Sequence, residues 1–201
     1  MKIKYIFLII ILFAFTLFGC GKDNGNEDKP KDSQYVNVII RVENFGDLEF
    51  QLDHNTAPKT VDHFVKLANS GAFDGSDFIR MQEDFVLQGG ANAKDSSTVE
   101  GEFKANGFNN NLKHTYGVIS MARATDPNSA SSQFFIVLSD DYGSSLDDNY
   151  AAFGKLVDGF DVLENIVNSI TSDMYTEDYY GLFMWFLKES AYIKIETVIV
   201  K

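Results

Sequence analysis

Along most of the chain, apolar residues come in short runs separated by turn-forming residues. The runs lie at 36–42, 48–52, 85–87, 118–122, 134–138, 152–156 and 193–200, and runs this short with such boundaries predict strands. Asn44-Phe45-Gly46-Asp47 joins the first two into a hairpin. Only two segments place their apolar residues at helical spacing. In 58–70, Val61, Phe64, Val65 and Ala68 share a face; Thr56 is placed to cap it, Pro58 suits its first turn, and Gly71 suits a left-handed end. The second helical segment is 161–170. Many short strands, two helices and no strand-helix alternation predict a mainly β protein, an antiparallel barrel closed or nearly so, with helices over its openings. A last stretch, 171–191, carries Tyr179, Phe183, Trp185 and Phe186. It reads as a helix packing its apolar side on the barrel, the alternative being an exposed surface for unfolded chains or lipid.

The first 34 residues follow another pattern. Lys2 and Lys4 precede an almost wholly apolar run at 5–18 that ends at Gly19-Cys20. A charged start, an apolar run and a small residue make a secretory signal, and the run is shorter than the roughly 20 residues of a spanning helix. Residues 17–20 (LFGC) resemble the bacterial lipoprotein box, in which the cysteine is lipidated and becomes the new N-terminus. That resemblance implies a signal peptide at 1–19, a lipidated Cys20 with a flexible tether at 20–34, and an extracytoplasmic protein anchored to the cell membrane. The tether assignment also rests on composition, since 21–34 has no large apolar side chain. The folded domain is then 35–201.

Composition narrows the function. With 45% hydrophobic residues in a chain of 201, one domain with a full core is expected. The 17 basic and 29 acidic residues give a net charge of -12, which disfavours nucleic acid as a partner. One cysteine excludes an intrachain disulfide and a multi-thiolate metal site. His54, His63 and His114 lack metal-ligand spacing, and the pairs Asp140-Asp141 and Asp147-Asp148 lack that of a calcium loop. No metal is expected. His54 and His63 read as solvated surface residues.

Two segments, 78–90 and 117–136, put polar groups among large apolar ones without an obvious structural need. On a strand, Gln133, Phe135 and Val137 point one way, and Phe134 and Ile136 the other. A glutamine beside a phenylalanine on one face suits an amphipathic peptide. Taken singly, Arg80 reads as a surface ion-pair partner, Gln133 as a satisfied polar residue and Gly89-Gly90 as a turn.

Taken in order, the segments resemble the cyclophilin family of peptidyl-prolyl cis-trans isomerases. The resemblance runs from about 35 to 170 and rests on FDGSDFIR at 73–80, FVLQG at 85–89, LKH at 112–114, SMARA at 120–124, SQFFI at 132–136, Leu146-Asp147 and FGK at 153–155. It implies a closed antiparallel eight-stranded barrel with two capping helices, and makes 171–191 an insertion before the last strand. By family position Arg80 is the catalytic group and Gln88 orients it or the substrate carbonyl. Phe85, Val86, Phe135 and Leu146 would hold the proline ring. Gln133 and the Ala122-Arg123-Ala124 backbone would bind the residues before proline, Tyr150 would close the pocket, and His114 would be structural. The chain departs from the family pattern at Ile79, Gln82, Val86, Arg123, Ser145 and Asp148. Ser145 stands where many relatives have a tryptophan that helps bind cyclosporin, which implies reduced sensitivity to it.

The implied reaction agrees with the residues. Amide resonance sets a rotation barrier of about 18–20 kcal/mol, and a catalyst must favour the twisted amide, whose nitrogen regains its lone pair. A guanidinium bonded to that nitrogen or to the displaced carbonyl does so without nucleophile, metal or cofactor. The expected partners are proline-containing unfolded or exported polypeptides, and the membrane through the anchor, for a chain that is itself a monomer. The alternative is a non-catalytic proline-peptide-binding or holdase module on the same fold. A solute-binding lipoprotein is a third reading, for which the chain is short.

Overall fold

The structure is a computed structural model, described here for residues 34–176 and 185–201. The expected signal peptide, Cys20 and nearly all of the expected tether lie outside the described residues, as do Tyr179 and Phe183.

Strand β1 (Tyr35–Val42) turns at Asn44, which takes a φ of +65°, into β2 (Gly46–Asp53). The hairpin pairs in register from Tyr35 with Asp53 to Val42 with Gly46. Alternate residues go to one face, so Val38, Ile40, Leu48, Phe50 and Leu52 are fully buried. Helix α1 (Pro58–Asn69) follows. Next come β3 (Asp77–Phe78), β4 (Arg80–Gln82), β5 (Val86–Gly89), β6 (Val118–Met121), β7 (Phe134–Val137), helix α2 (Gly143–Leu146), β8 (Ala152–Asp158), helix α3 (Phe160–Ser169) and β9 (Ile193–Val200). All described pairings between strands are antiparallel, in the order β3-β9-β1-β2-β8-β6-β7-β5-β4.

The first and last strands of that order are consecutive in the chain, with only Ile79 between them. The barrel closes through that residue. Among the described residues its strands number nine and not the expected eight, because the segment joining the two sheet edges breaks at Ile79 and pairs with β9 on one side and β5 on the other. The two expected helices are α1 and α3, and α2 adds a single turn. The interior is aromatic: Phe64 of α1 lies 4.8 Å from Phe73, 5.2 Å from Phe153 and 5.7 Å from Phe134, centroid to centroid. Fully burying such a side chain contributes about 1.5–3 kcal/mol. Leu163 and Ile166 of α3 join the same cluster.

The start of α1 differs from expectation. Thr56 does not cap it; its hydroxyl donates to Asp53 Oδ2 at 2.9 Å. The free amides of Lys59 and Thr60 donate instead to the carboxylate of Glu102, at 3.2 and 2.8 Å, and the Thr60 hydroxyl adds a bond of 2.8 Å. Glu102 is itself 2% exposed, and a buried carboxylate there satisfies both the unpaired amides and the positive end of the helix. The other end is as expected, with Gly71 at a φ of +68°. His54 and His63 are half-buried rather than solvated, bonded to Asp62 and to the Ser131 carbonyl, each at 2.9 Å.

Residues 171–191 do not form the expected helix in their described part. Residues 174–176 and 185–188 make a ribbon, tied by Thr176 N–H to Phe186 O at 2.9 Å and Lys188 N–H to Met174 O at 2.8 Å. This ribbon lies along β4: Leu187 N–H donates to Ile79 O at 2.8 Å and Met81 N–H to Trp185 O at 3.2 Å. Sheet hydrogen bonding by β4 draws the segment into extended backbone, which its apolar residues do not reveal on their own.

Candidate active site

A second apolar cluster forms on the outer face of β5, β6 and β7. Phe134 and Ile136 point into the barrel, while Phe135 and Val137 join Val86, Val118, Leu146 and Ala152 outside. This is the alternation read from the sequence. Gly89 and Gly90 bring β5 close beneath it. A Cβ at Gly89 would lie 2.5 Å from the Phe78 ring; one at Gly90, whose φ is +76°, would lie 2.3 Å from the Ser132 carbonyl oxygen.

The polar residues come together by register. Arg80 of β4 pairs with Gln88 of β5, Gln88 with Phe135 of β7, and Phe135 with Ser120 of β6. Residues paired in this way share a face and have neighbouring Cβ atoms. Arg80 Nη1 donates to Gln88 Oε1 at 3.3 Å and Nη2 donates to Gln82 Oε1 at 3.4 Å. Arginine has no acceptor, so Gln88 turns its oxygen to Arg80 and its NH2 donates to Gln133 Oε1 at 2.8 Å. Burial lowers the pKa of Arg80, with Tyr150 opposing; a guanidinium nonetheless stays protonated. Its charge acts in a partly dry site, where it counts for more than in water.

Beside this row is a cavity of 340 Å³, within the range of small-ligand pockets. Arg80 and Gln88 form its polar wall, and Phe85, Val86, Phe135 and Leu146 its apolar cup. Ala122, Arg123, Tyr150 and Phe186 complete the rim. Phe135 is fixed on both sides. Tyr150 meets it edge-on at 5.4 Å and 87°, and His114 stacks on it at 5.9 Å and 17°.

His114 belongs to a buried network. Its Nε2 lies 2.9 Å from Ser120 Oγ and its Nδ1 lies 3.1 Å from Asp147 Oδ1. An Asp-His-Ser chain would suit a nucleophile, but Ser120 is 0% exposed, so no substrate reaches it. The network is a brace between Phe135 and the end of α2. Burial pushes the His114 ring below its ordinary pKa, its bond to Asp147 only partly opposing this. Burial also works against ionisation of Asp147, but bonds from His114 and Lys113 outweigh it and hold the carboxyl below its usual range.

Two expected roles change. Ala124 is not on the cavity wall: it is exposed, and its N–H donates to Ser129 Oγ at 2.9 Å. Ala122 N–H is taken by the Gln133 carbonyl at 3.0 Å, so the 122–124 backbone does not offer these donors to a peptide. Arg123 contributes its side chain. The guanidinium lies 4.9 Å from the Tyr150 ring and 5.0 Å from that of Phe103, and Nε donates to Asn149 O at 3.0 Å. Gln133 stands behind Gln88, one bond removed from the cavity. Gln82 and Phe186 were not expected here. In the sequence Gln82 shows only as a departure from the family pattern, although its i, i+2 spacing from Arg80 on a strand is a readable sign of a shared face. Phe186 arrives through the ribbon, bridged to Arg80.

The comparisons with known proteins agree with this geometry. The model of the family described as cyclophilin type peptidyl-prolyl cis-trans isomerase/CLD matches residues 37–180. A peptidyl-prolyl cis-trans isomerase of Acinetobacter baylyi is 37% identical over 144 residues, which is 68% of this chain and 76% of that protein. A cyclophilin type peptidyl-prolyl cis-trans isomerase of Cryptosporidium parvum, 28% identical, superposes with a TM-score of 0.66 over 83% of this chain and 98% of its own. A structure of that protein in the presence of the dipeptide Ala-Pro gives 0.65, over 82% and 98%. With its barrel, its family match and these relatives, the chain belongs to the cyclophilin-type peptidyl-prolyl cis-trans isomerases.

Proposed function

We propose that this isomerase is a lipoprotein, held by Cys20 at the outer face of the cytoplasmic membrane, where it speeds rotation about Xaa-Pro bonds of exported polypeptides. The observation that carries the catalytic part is the row Arg80-Gln88-Phe135, which sets a fixed cationic fork beside an apolar cup. Phe85, Val86, Phe135 and Leu146 clasp the proline ring, and the rest of the peptide turns against it. Arg80 bonds the pyramidal nitrogen or displaced carbonyl more strongly than either planar isomer, which lowers the barrier. Gln82 and Gln88 aim the fork. Gln133, through Gln88, and Ala122 with Arg123 at the rim face the residues before proline. The departures at Ile79 and Gln82 fit turnover, since Ile79 acts here through its backbone and Gln82 supports Arg80.

Location rests on the charged start, the apolar run and the lone cysteine of the first twenty residues. Two acyl chains on Cys20 would anchor the protein firmly, as each buried methylene contributes about 0.8 kcal/mol. The test of both parts is refolding of an unfolded chain whose slow phase is prolyl isomerisation, which takes about 10–100 s uncatalysed, alongside fractionation of cells making wild type or Cys20→Ser. Wild type is expected to shorten the slow phase and to pellet with membranes, and Cys20→Ser to be released. A holdase would leave the slow phase unshortened. A Cys20→Ser protein that stays with the membrane would contradict the anchor.

A further inference from the structure

The ribbon that brings Phe186 to the cavity also builds a larger hollow beside it. Trp185 and Phe186 are consecutive but line different hollows. Phe186 lines the 340 Å³ cavity, while Trp185 lines a groove of 710 Å³. The groove runs between the turn after β4, with Glu83 and Asp84, the end of α3, with Val167 and Ile170, and the ribbon, with Tyr175 and Trp185. A further hollow of 350 Å³ shares Glu83, Asp84 and Val167 with it and adds Glu164. Among the described residues no lysine, arginine or histidine lines either hollow.

Trp185 is not a packed core residue. It is 41% exposed, stands edge-on to Tyr175 at 5.6 Å and 82°, and takes a φ of +51°, which costs a bulky residue energy that the Met81 bond helps to offset. Trp185 lies beyond the stretch matched by the family model, 37–180, while the rest of the groove's lining lies within it.

Position gives the groove its direction. Gln133 and Ala122 stand at the β6-β7 side of the cavity, and the ribbon at the opposite side, past Arg80. A peptide whose preceding residues lie over β6 and β7 must carry its following residues over β4 and the ribbon. Neighbouring strands are about 4.8 Å apart and an extended chain advances about 3.4 Å per residue. Gln82, which bonds Arg80 and also lines the groove, links the two hollows, so side chains about two to four places after the proline reach the groove that Trp185 lines. An aromatic floor with carboxylates and no cation complements an apolar side chain followed by a basic one. We propose that this groove is a subsite for the residues after the proline, selecting polypeptides that carry an aromatic or aliphatic residue and then a lysine or arginine there. The inference rests on reading the adjacent cavity as the prolyl site.

The test uses the full chain in detergent and three peptides: Ala-Ala-Pro-Ala, the same extended by Phe-Lys-Lys, and the same extended by Phe-Glu-Glu. Trp185 is the only tryptophan, so its fluorescence reports occupation of the groove. The basic peptide is expected to shift that fluorescence and to be turned over with a kcat/KM about threefold to tenfold above the acidic one, a margin that shrinks with salt. Glu83→Gln with Asp84→Asn should remove the margin and leave the short peptide's kcat/KM unchanged. Equal turnover of the two extended peptides, or a margin that survives the double substitution, overturns the proposal. So does a tryptophan signal that follows protein concentration and ignores peptide, which would put a second copy in the groove. Failure of the prolyl reading shows separately, as no turnover of the short peptide, and the fluorescence preference then still decides whether the groove takes basic chains.

Discussion

Two amide oxygens, from Gln82 and Gln88, receive the two terminal nitrogens of Arg80. The arrangement uses the planar fork as well as the charge. Arg80→Lys keeps the charge and loses the fork, so kcat/KM for a prolyl peptide is expected to fall about tenfold to a hundredfold with the melting temperature nearly unchanged. A lysine variant with full activity would mean that charge alone suffices. His114 gives a prediction of another kind. Because burial lowers its pKa from 6.5, the unfolded chain takes up the proton first as pH falls. Stability from this group is flat above that value and declines below it, down to the lowered pKa of the fold, by up to about 1.4 kcal/mol per pH unit. Urea unfolding between pH 7.5 and 5 should show the decline, and His114→Gln should flatten it. At this scale the sequence was informative about Arg80, Gln88 and the apolar cup, because their order along the chain is distinctive. It misled at Ala124, whose N–H a nearby serine hydroxyl takes, a bond the motif does not encode.

At the scale of elements, both longer helices followed from their spacing and seven of the nine described strands from short apolar runs, while β3 and β4 have no such run. Two further features were beyond reach of local pattern. The cap of α1 comes from Glu102, 42 positions from Thr60, and only the fold brings them together. Glu102→Ala is expected to cost about 2 kcal/mol in urea unfolding, leaving activity per folded molecule intact; a loss under about 0.5 kcal/mol would show the cap to be incidental. The segment 171–191 was the other. Its aromatics satisfied a helix reading, yet its described part is extended where it hydrogen-bonds along β4. The α2 turn carries another prediction. Ser145 is exposed, with its hydroxyl donating to Tyr142 O at 2.7 Å, and it provides no indole at the rim. Cyclosporin should inhibit weakly, and Ser145→Trp should strengthen inhibition; strong inhibition of the wild type would contradict this.

The whole molecule separates packing from chemistry by the two faces of one sheet. The inner face holds the phenylalanine core, and the outer face carries the cup and the fork. Apolar periodicity marks both faces, but the register that sets Arg80, Gln88 and Phe135 in a row depends on how β4, β5 and β7 pair, which no single segment specifies. The central claim is that this row stabilises a twisted amide. Exchange spectroscopy on a short Xaa-Pro peptide, with wild type and with Arg80→Ala at equal concentration, tests it most directly. Wild type should raise the cis-trans exchange rate and leave the isomer ratio unchanged. Arg80→Ala should lose on the order of a hundredfold of the rate while still binding the peptide. Full exchange by Arg80→Ala, or none by wild type, would contradict the account.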